Sequence, residues 1–261
     1  MKAPYTTFLL TVLLVNVLPA TMVLTAGEQL DQRAIARQLL GENKEERSRA
    51  LKAAQTVGST NASQELRAAL ITLLEREDRI VAEAERRGVT VDTLEDPEFI
   101  AYVSRVVAEL KDPKAIPALA GALGMGTVIA PLADFGQQAV PAVLGVVTAQ
   151  QSSHYAVEDG LRTLRLIIER GGIRSLPVSM LDQIRRAVQQ RLTGKQYFAT
   201  IWYAIWYAID LAASLNDPNL RRLVQSLASN RNEVFARGIT DPELIEKTQK
   251  RAADRLAGTP R

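Results

Sequence analysis

The chain has 261 residues, of which 47% are hydrophobic and 23% are charged. This composition excludes a disordered chain and allows a sizeable buried core, in one elongated domain or two small ones. There are 32 Lys and Arg residues against 29 Asp and Glu residues, and the basic side chains are mostly interleaved with acidic ones. We therefore expect no nucleic-acid partner, because nucleic-acid binders gather positive charge into a patch.

The first 27 residues form a segment of their own. Lys2 gives a short positive start, the run from Phe8 to Leu18 is almost wholly apolar, and Thr25-Ala26-Gly27 offers small residues for cleavage. This pattern is typical of a secretory signal peptide over 1–27. We expect an exported bacterial protein, periplasmic or secreted, with no membrane contact after cleavage near Glu28. Because Phe8 to Ala26 approaches the length that spans a bilayer, a membrane-anchored domain with an uncleaved N-terminus is the alternative.

Beyond Gly27 the sequence predicts helices and almost no strands. Asp-Pro pairs at 96–97, 112–113, 217–218 and 241–242 predict helix starts. At such a start the acid can cap free backbone amides, and proline fits the first turn. Gly171-Gly172 and Gly194 predict helix ends. We therefore expect an all-α fold.

Three stripes of apolar residues at helical spacing support this interpretation. The first lies on a long helix over 62–87, and the other two lie on helices that end at Gly171-Gly172 and Gly194. We expect their side chains to be buried. The stripes are Leu66, Leu70, Leu73, Leu74, Ile80, Val81 and Ala84; Val157, Leu161, Leu164, Ile167 and Ile168; and Leu181, Ile184, Val188 and Leu192.

A short internal repeat lies in the middle of the chain. AIPALAGAL starts at Ala115 and AVPAVLGVV starts at Ala139, a spacing typical of stacked supersecondary units. The run PLADFGQQAVPAVLGVV, Pro131 to Val147, resembles the HEAT repeat family and in particular its phycobilisome-lyase-like bacterial subset. A second run, KDPKAIPALAGALG from Lys111 to Gly124, resembles the same repeat. The resemblance is best over about 111–170 and looser over 28–58 and 177–229.

The resemblance implies an α-solenoid of stacked antiparallel helix pairs over 28–257. The long helix 62–87 and the loop after it depart from the repeat pattern, so 28–110 is a candidate irregular part. The basic stretch from Lys247 is expected to be a cap helix that frays, with 258–261 as a disordered tail.

The stretch IWYAIWYAID, Ile201 to Asp210, contains both tryptophans and two of the six tyrosines. On a helical wheel Trp202 and Trp206 share a broad apolar face with Phe198, Ile201, Ile205 and Ile209, whereas Tyr203, Tyr207 and Asp210 lie on the opposite face. The spacing predicts that the tryptophans face the core and that the tyrosines and Asp210 face solvent.

The resemblance also implies where a partner would bind, because the second helix of each HEAT unit lines the concave face. Tyr203, Tyr207 and Asp210 would then lie beside Glu158, Arg162 and Arg165 of the previous unit. Tyrosine and arginine dominate the energetic centres of protein interfaces. These six residues are the predicted site for another protein, and the alternative is that they are ordinary solvated residues.

The sequence contains no convincing catalytic constellation. The single histidine, His154, follows Ser152 and Ser153 at a helix start, where a capping serine and a surface histidine are the simplest interpretation. With one histidine and no cysteine we expect no metal and no cofactor. Gly124 and Gly126 fit a turn between helices better than a dinucleotide site. We expect a non-catalytic interaction or scaffold module; the alternative implied by the resembled subset is a bilin-like ligand-binding or lyase-type accessory protein.

Overall fold

A computed structural model of the protein describes residues 31–87, 97–194 and 202–258. Within these ranges the chain forms thirteen α-helices and no β-strand, which confirms the all-α prediction. The predicted signal peptide at 1–27 and the residues Phe198 and Ile201 lie outside them. The helices are α1 Gln32–Leu40, α2 Lys44–Val57, α3 Gln64–Arg86, α4 Pro97–Glu109, α5 Ile116–Gly121, α6 Ile129–Asp134, α7 Val140–Thr148, α8 His154–Gly171, α9 Val178–Thr193, α10 Trp202–Leu215, α11 Pro218–Ser229, α12 Arg231–Ala236 and α13 Pro242–Gly258.

The predicted helix starts and ends are found where the structure describes them. The carboxylates of Asp112, Asp217 and Asp241 each accept hydrogen bonds from backbone amides two or three residues further on. Each one satisfies amides that a first helical turn leaves without a partner. Gly172 and Gly194 follow the last residues of α8 and α9. The Asp-Pro pair at 96–97 cannot be compared in the same way, because residue 96 lies outside the described ranges.

The helices pack as two rows. The odd-numbered helices contact one another in succession, α1 with α3, then α5, α7, α9 and α11. The even-numbered helices do the same from α2 through α4, α6 and α8 to α10, and α13 then packs against α10 and α11. Their buried apolar side chains belong to one continuous core. This order places α8, α10 and α13 side by side.

Two of the three predicted stripes are buried as expected. All predicted positions on α8 and α9 lie in the core. On α3 the four leucines are buried, but the prediction is wrong for Ile80, which is 46% exposed, and Val81 and Ala84 are only half-buried. Beyond Leu74 the inner face of α3 carries Glu77, which is buried, and Asp78, which meets Gly121 of α5. The inner face of α3 is therefore apolar up to Leu74 and acidic at Glu77 and Asp78.

The two copies of the sequence repeat have the same local structure. A 3₁₀ turn, Pro113–Ala115 in one copy and Gly136–Gln138 in the other, leads into α5 and α7. Pro117 and Pro141 both lie in the first turn of their helices, where a proline removes no helical hydrogen bond. The helices start at Ile116 and Val140, 24 residues apart in the chain.

Helices α7 and α8 approach closely at Gly160. A Cβ atom at this position would lie 2.6 Å from Cγ2 of Val147. Alanine is the better helix former by about 1 kcal/mol, but overpacking a core costs about 1–3 kcal/mol. We expect Gly160→Ala to lower the free energy of unfolding, measured in urea, by up to about 2 kcal/mol. The double variant Gly160→Ala/Val147→Ala should lose less stability than the sum of the losses in the two single variants, because the smaller residue 147 makes room for the new methyl group. If the two losses simply add, the close contact is contradicted.

Candidate functional site

Asp210 of α10 is the centre of a cluster of charged side chains. It is only 2% exposed, and its carboxylate accepts five hydrogen bonds from three arginines. Arg165 of α8 donates from Nη1 to Oδ2 at 2.9 Å. Arg251 and Arg255 of α13 each donate from Nε to Oδ1 and from Nη2 to Oδ2, at distances between 2.6 and 3.2 Å. Such two-point pairing fixes the guanidinium planes as well as their positions.

The charges in this cluster shift the pKa of its members. Burial opposes the ionised form of Asp210, but the hydrogen bonds and positive charges of Arg251 and Arg255 outweigh it, so the pKa of Asp210 lies below its ordinary value. The hydrogen bond to Asp210 raises the pKa of Arg255 in turn, although its partial burial opposes this. Both shifts favour the charged forms of Asp210 and Arg255 at neutral pH.

The prediction that Asp210 faces solvent is wrong. Helix α13 packs against α10, and its arginines, 41 and 45 residues away in the chain, cover the carboxylate. Tyr203 is 42% exposed as expected, whereas Tyr207 is half-buried. The tryptophans are also half-buried rather than part of the core.

The aromatic side chains of α10 lie directly beside the arginines. The ring centres of Trp202 and Trp206 are 4.4 Å apart, and those of Tyr203 and Trp206 are 5.7 Å apart. The guanidinium carbon of Arg251 lies 5.2 Å from the ring centre of Trp206. Nε1 of Trp206 donates to Oγ1 of Thr248 at 2.8 Å, which fixes the indole against α13.

Tyr207 joins the residues of α8 to this group. Arg162 of α8 and Arg251 of α13 lie 5.4 and 5.8 Å from the centre of its ring, within the range of cation–π attraction. Arg165 connects α8 to Asp210 and also pairs through Nε with Glu169 at 2.6 Å.

Glu158 is the predicted site residue that is least well connected. It is half-buried, and its pKa is raised by burial and by the charge of Asp159, while Arg162 opposes the shift. Among the described residues it has no hydrogen-bonding partner for its carboxylate. The structure thus brings five of the six predicted residues into one connected group and leaves Glu158 at its edge. We call this group with its α13 members the arginine–aromatic surface: Arg162, Arg165, Trp202, Tyr203, Trp206, Tyr207, Arg251 and Arg255, with Asp210 beneath.

Arg251 and Arg255 are the residues of this candidate site that the sequence analysis missed. The stretch from Lys247 was expected to fray, yet it belongs to α13, in which Thr248 and Ala252 are fully buried. The helix includes Gly258, and residues 259–261 lie outside the described ranges. The spacing of Arg251 and Arg255 could have indicated them, since residues four apart share one face of a helix.

A second buried carboxylate, Asp159 of α8, fixes the loop between α5 and α6. Its Oδ2 accepts the backbone amides of Gly124 and Gly126 at 3.0 and 2.9 Å. Both glycines have positive φ angles, 107° and 72°, which confirms the predicted turn. Burial raises the pKa of Asp159, although these amides and Arg162 counteract the shift. Oδ1 of Asp159 accepts a hydrogen bond from Arg162 at 3.3 Å. The same carboxylate therefore binds both the loop and an arginine of the arginine–aromatic surface.

Ser153 and His154, the residues of the Ser–His motif, lie at the start of α8. The Ser153 hydroxyl caps α8 by accepting the amide of Ala156, and His154 follows it at the first helical position. The described residues include no group of three or more His, Asp or Glu side chains placed to hold a metal ion.

The comparisons with known proteins add no relative. No family model, curated protein or solved structure matches the chain. As for the membrane, none of the helices in the described ranges is both long enough and apolar enough to cross a bilayer.

Proposed function

We propose that this protein is an exported, non-catalytic scaffold that holds another protein on the arginine–aromatic surface. One observation carries the proposal: a single buried carboxylate, Asp210, holds three partly exposed arginines beside the exposed ring of Tyr203. Tryptophan, tyrosine and arginine are the residues that contribute most to protein interfaces. Here side chains of all three types share one surface.

The fixed positions of these side chains favour binding. A free arginine on a surface loses conformational entropy when a partner orders it, which weakens association. The three arginines around Asp210 are already ordered by hydrogen bonds, and Trp206 is held by Thr248. A partner would therefore meet a largely preformed surface, and contact by several rigid side chains needs no bond-making chemistry.

The α-solenoid implied by the HEAT resemblance is part of the proposal. It is supported by the two rows of successively packed helices and by the matching local structure of the two repeat copies. Stacked repeats contact chiefly their neighbours and offer extended binding faces. The arginine–aromatic surface lies on α8 and α10 of the even-numbered row, extended by α13. We assign this row to the concave, partner-binding side.

A surface partner is better supported than an enclosed small ligand. The recess that α10, α11 and α13 form around Ala213 and Arg255 is open to solvent, and its enclosed volume is only about 10 Å³. Pockets for drug-sized ligands usually enclose about 300–1,000 Å³. A bilin-like chromophore would exceed this recess, so we favour a protein as the partner.

A crosslinking pull-down from envelope extract of the source cells tests this function. The bait is the mature chain from Glu28, compared with an Arg162→Glu/Tyr203→Ala variant. The matched control is Arg49→Glu/Phe235→Ala, which changes the same residue class and another exposed aromatic away from the surface, on α2 and α12. All three baits must have equal thermal stability.

We expect one protein to be recovered by the parent and the control, and to be reduced at least about tenfold with the surface variant, corresponding to about 1.4 kcal/mol or more. The recovered protein is then purified, and its dissociation constant is measured against the same three baits. Equal recovery and equal affinity for all three would contradict the proposed surface.

A further inference from the structure

In the arginine–aromatic surface the carboxylates are buried, and the guanidinium groups lie nearer to solvent. Asp159 and Asp210 are 5% and 2% exposed. The arginines that pair with them are more accessible: the side chain of Arg162 is 41% exposed and that of Arg251 is 29% exposed. Four arginines pair with these two carboxylates, and an approaching molecule meets guanidinium groups before it meets carboxylates. The solvent side of the surface is therefore positive.

The remaining acidic groups nearby do not reverse this arrangement. Glu169 is partly exposed and pairs with Arg165. Glu158 is half-buried near Arg162, Glu243 is occupied by Lys247 at 2.6 Å, and Asp254 is exposed next to Arg255. Arg162 and Arg251, from two of the helices that pack against α10, are therefore the arginines that we assign to an incoming anion.

These two arginines lie beside the same tyrosine. The guanidinium carbons of Arg162 and Arg251 are 5.4 and 5.8 Å from the ring centre of Tyr207. The anions that pair with them, Asp159 and Asp210, are buried on the protein side. A carboxylate arriving from solvent could therefore pair with a guanidinium from the solvent side, through two parallel hydrogen bonds. Tyr203 next to them offers an exposed aromatic face for an apolar side chain.

We infer that the partner binds this surface through an acidic segment, with carboxylates at Arg162 and Arg251 and an apolar side chain against Tyr203. The inference deepens the proposed function and rests on it. Electrostatic complementarity of this kind raises the association rate and excludes basic partners. It also makes binding sensitive to salt, because the arginines are partly solvated.

An acidic protein segment fits better than an anionic membrane surface. Two hydrogen bonds to Asp210 hold Arg251 in a fixed plane, and one hydrogen bond to Asp159 holds Arg162, which suits the planar geometry of a carboxylate. A membrane surface attracts basic residues without fixed geometry and takes up larger exposed apolar faces. Here Tyr203 is exposed, whereas Trp202 and Trp206 are half-buried.

Fluorescence anisotropy with a labelled synthetic peptide tests the inference. The probe alternates Asp or Glu with Leu, and the reference peptide has Asn and Gln in place of the acids. Both are titrated with the mature chain at low and at physiological salt. The variants Arg162→Gln and Tyr203→Ala leave Asp210 and its arginines intact. Arg49→Gln, which alters an exposed arginine on α2, is the matched control.

We expect the acidic peptide to bind at least about tenfold more tightly than the neutral one, and less tightly as salt rises. Arg162→Gln and Tyr203→Ala should each weaken it about fivefold or more, and Arg49→Gln less than twofold. Equal binding of both peptides, or an equal effect of Arg49→Gln, would overturn the inference. So would binding to phosphatidylglycerol vesicles that depends on Arg162 when peptide binding does not.

The pull-down separates a failure of this inference from a failure of the proposed function. A purified partner that depends on Arg162 and Tyr203 but is not displaced by the acidic peptide would refute the acidic segment and leave the scaffold function standing. A partner that is displaced by the acidic peptide and not by the neutral one would support both.

Discussion

Replacing Asp210 with asparagine should lower the free energy of unfolding by about 3 kcal/mol. The variant leaves Arg165, Arg251 and Arg255 close together without their shared anion. Removing one partner of a buried ion pair typically costs about 3–5 kcal/mol. We place the effect at the lower end because the three arginines are partly exposed and water would screen their repulsion. Urea unfolding at neutral pH, followed by far-UV circular dichroism, measures it.

The same variant should change the response to acid. Because the folded state lowers the pKa of Asp210, its stabilising effect is complete above the unfolded pKa near 4 and is lost as pH falls through the folded value. Asp210→Asn should remove that part of the acid sensitivity. Asp254→Asn, an exposed change on the same helix, is the control and should stay within about 0.5 kcal/mol of the parent. If both variants unfold at the same urea concentration as the parent, the cluster does not stabilise the fold.

Replacing Asp78 with asparagine should have the opposite effect at alkaline pH. Burial raises the pKa of Asp78 to about 8, and the charges of Glu75 and Glu77 add to the shift. Its Oδ1 is buried, with no hydrogen-bonding partner among the described residues, and its carboxyl lies against Gly121 of α5. The folded protein therefore prefers the neutral acid at this position.

The direction in which stability changes with pH follows from proton binding. Between pH 4 and pH 8 the folded state holds a proton on Asp78 that the unfolded state releases, so the free energy of unfolding falls as pH rises. The loss begins at the unfolded pKa and reaches up to about 6 kcal/mol above pH 8, at about 1.4 kcal/mol per pKa unit. Asp78→Asn should match the parent near pH 4 and exceed it by several kcal/mol at pH 9 in urea unfolding.

Glu75→Gln is the matched control for Asp78, because Glu75 is an exposed carboxylate on the same helix. It removes a repelling charge without removing the buried acid, so its gain at pH 9 should be much smaller. A parent protein whose stability is the same at pH 5 and pH 9 would contradict the buried, protonated state of Asp78.

Local features of the fold could be predicted from the sequence because they depend on neighbouring residues. The caps at Asp112, Asp217 and Asp241 involve amides two or three positions away. The buried face of α8 follows from helical spacing alone, and so does the burial of Ile205 and Ile209 on α10. Such features need no knowledge of which helices meet.

The misplaced residues depend on contacts between distant parts of the chain. A helical wheel places Asp210 on the same side of α10 as Tyr203 and Tyr207, and that placement is correct. The wheel contains no information about α13, which covers Asp210. Burial of a charged group is allowed only where opposite charges pair with it, and Arg251 and Arg255 supply them. Ile80 was misjudged for a related reason, because the wheel cannot tell that Glu77 and Asp78 occupy the inner face of α3.

The most direct test of the arginine–aromatic surface is photo-crosslinking from single positions in living source cells. A benzophenone amino acid replaces Tyr203, and in a parallel strain it replaces Phe235, which is 56% exposed on α12. We predict one crosslinked protein from position 203, absent from position 235 and lost when Arg162→Glu is added. The same crosslinked products from both positions, or a product at 203 that persists with Arg162→Glu, would contradict a binding surface on α8, α10 and α13.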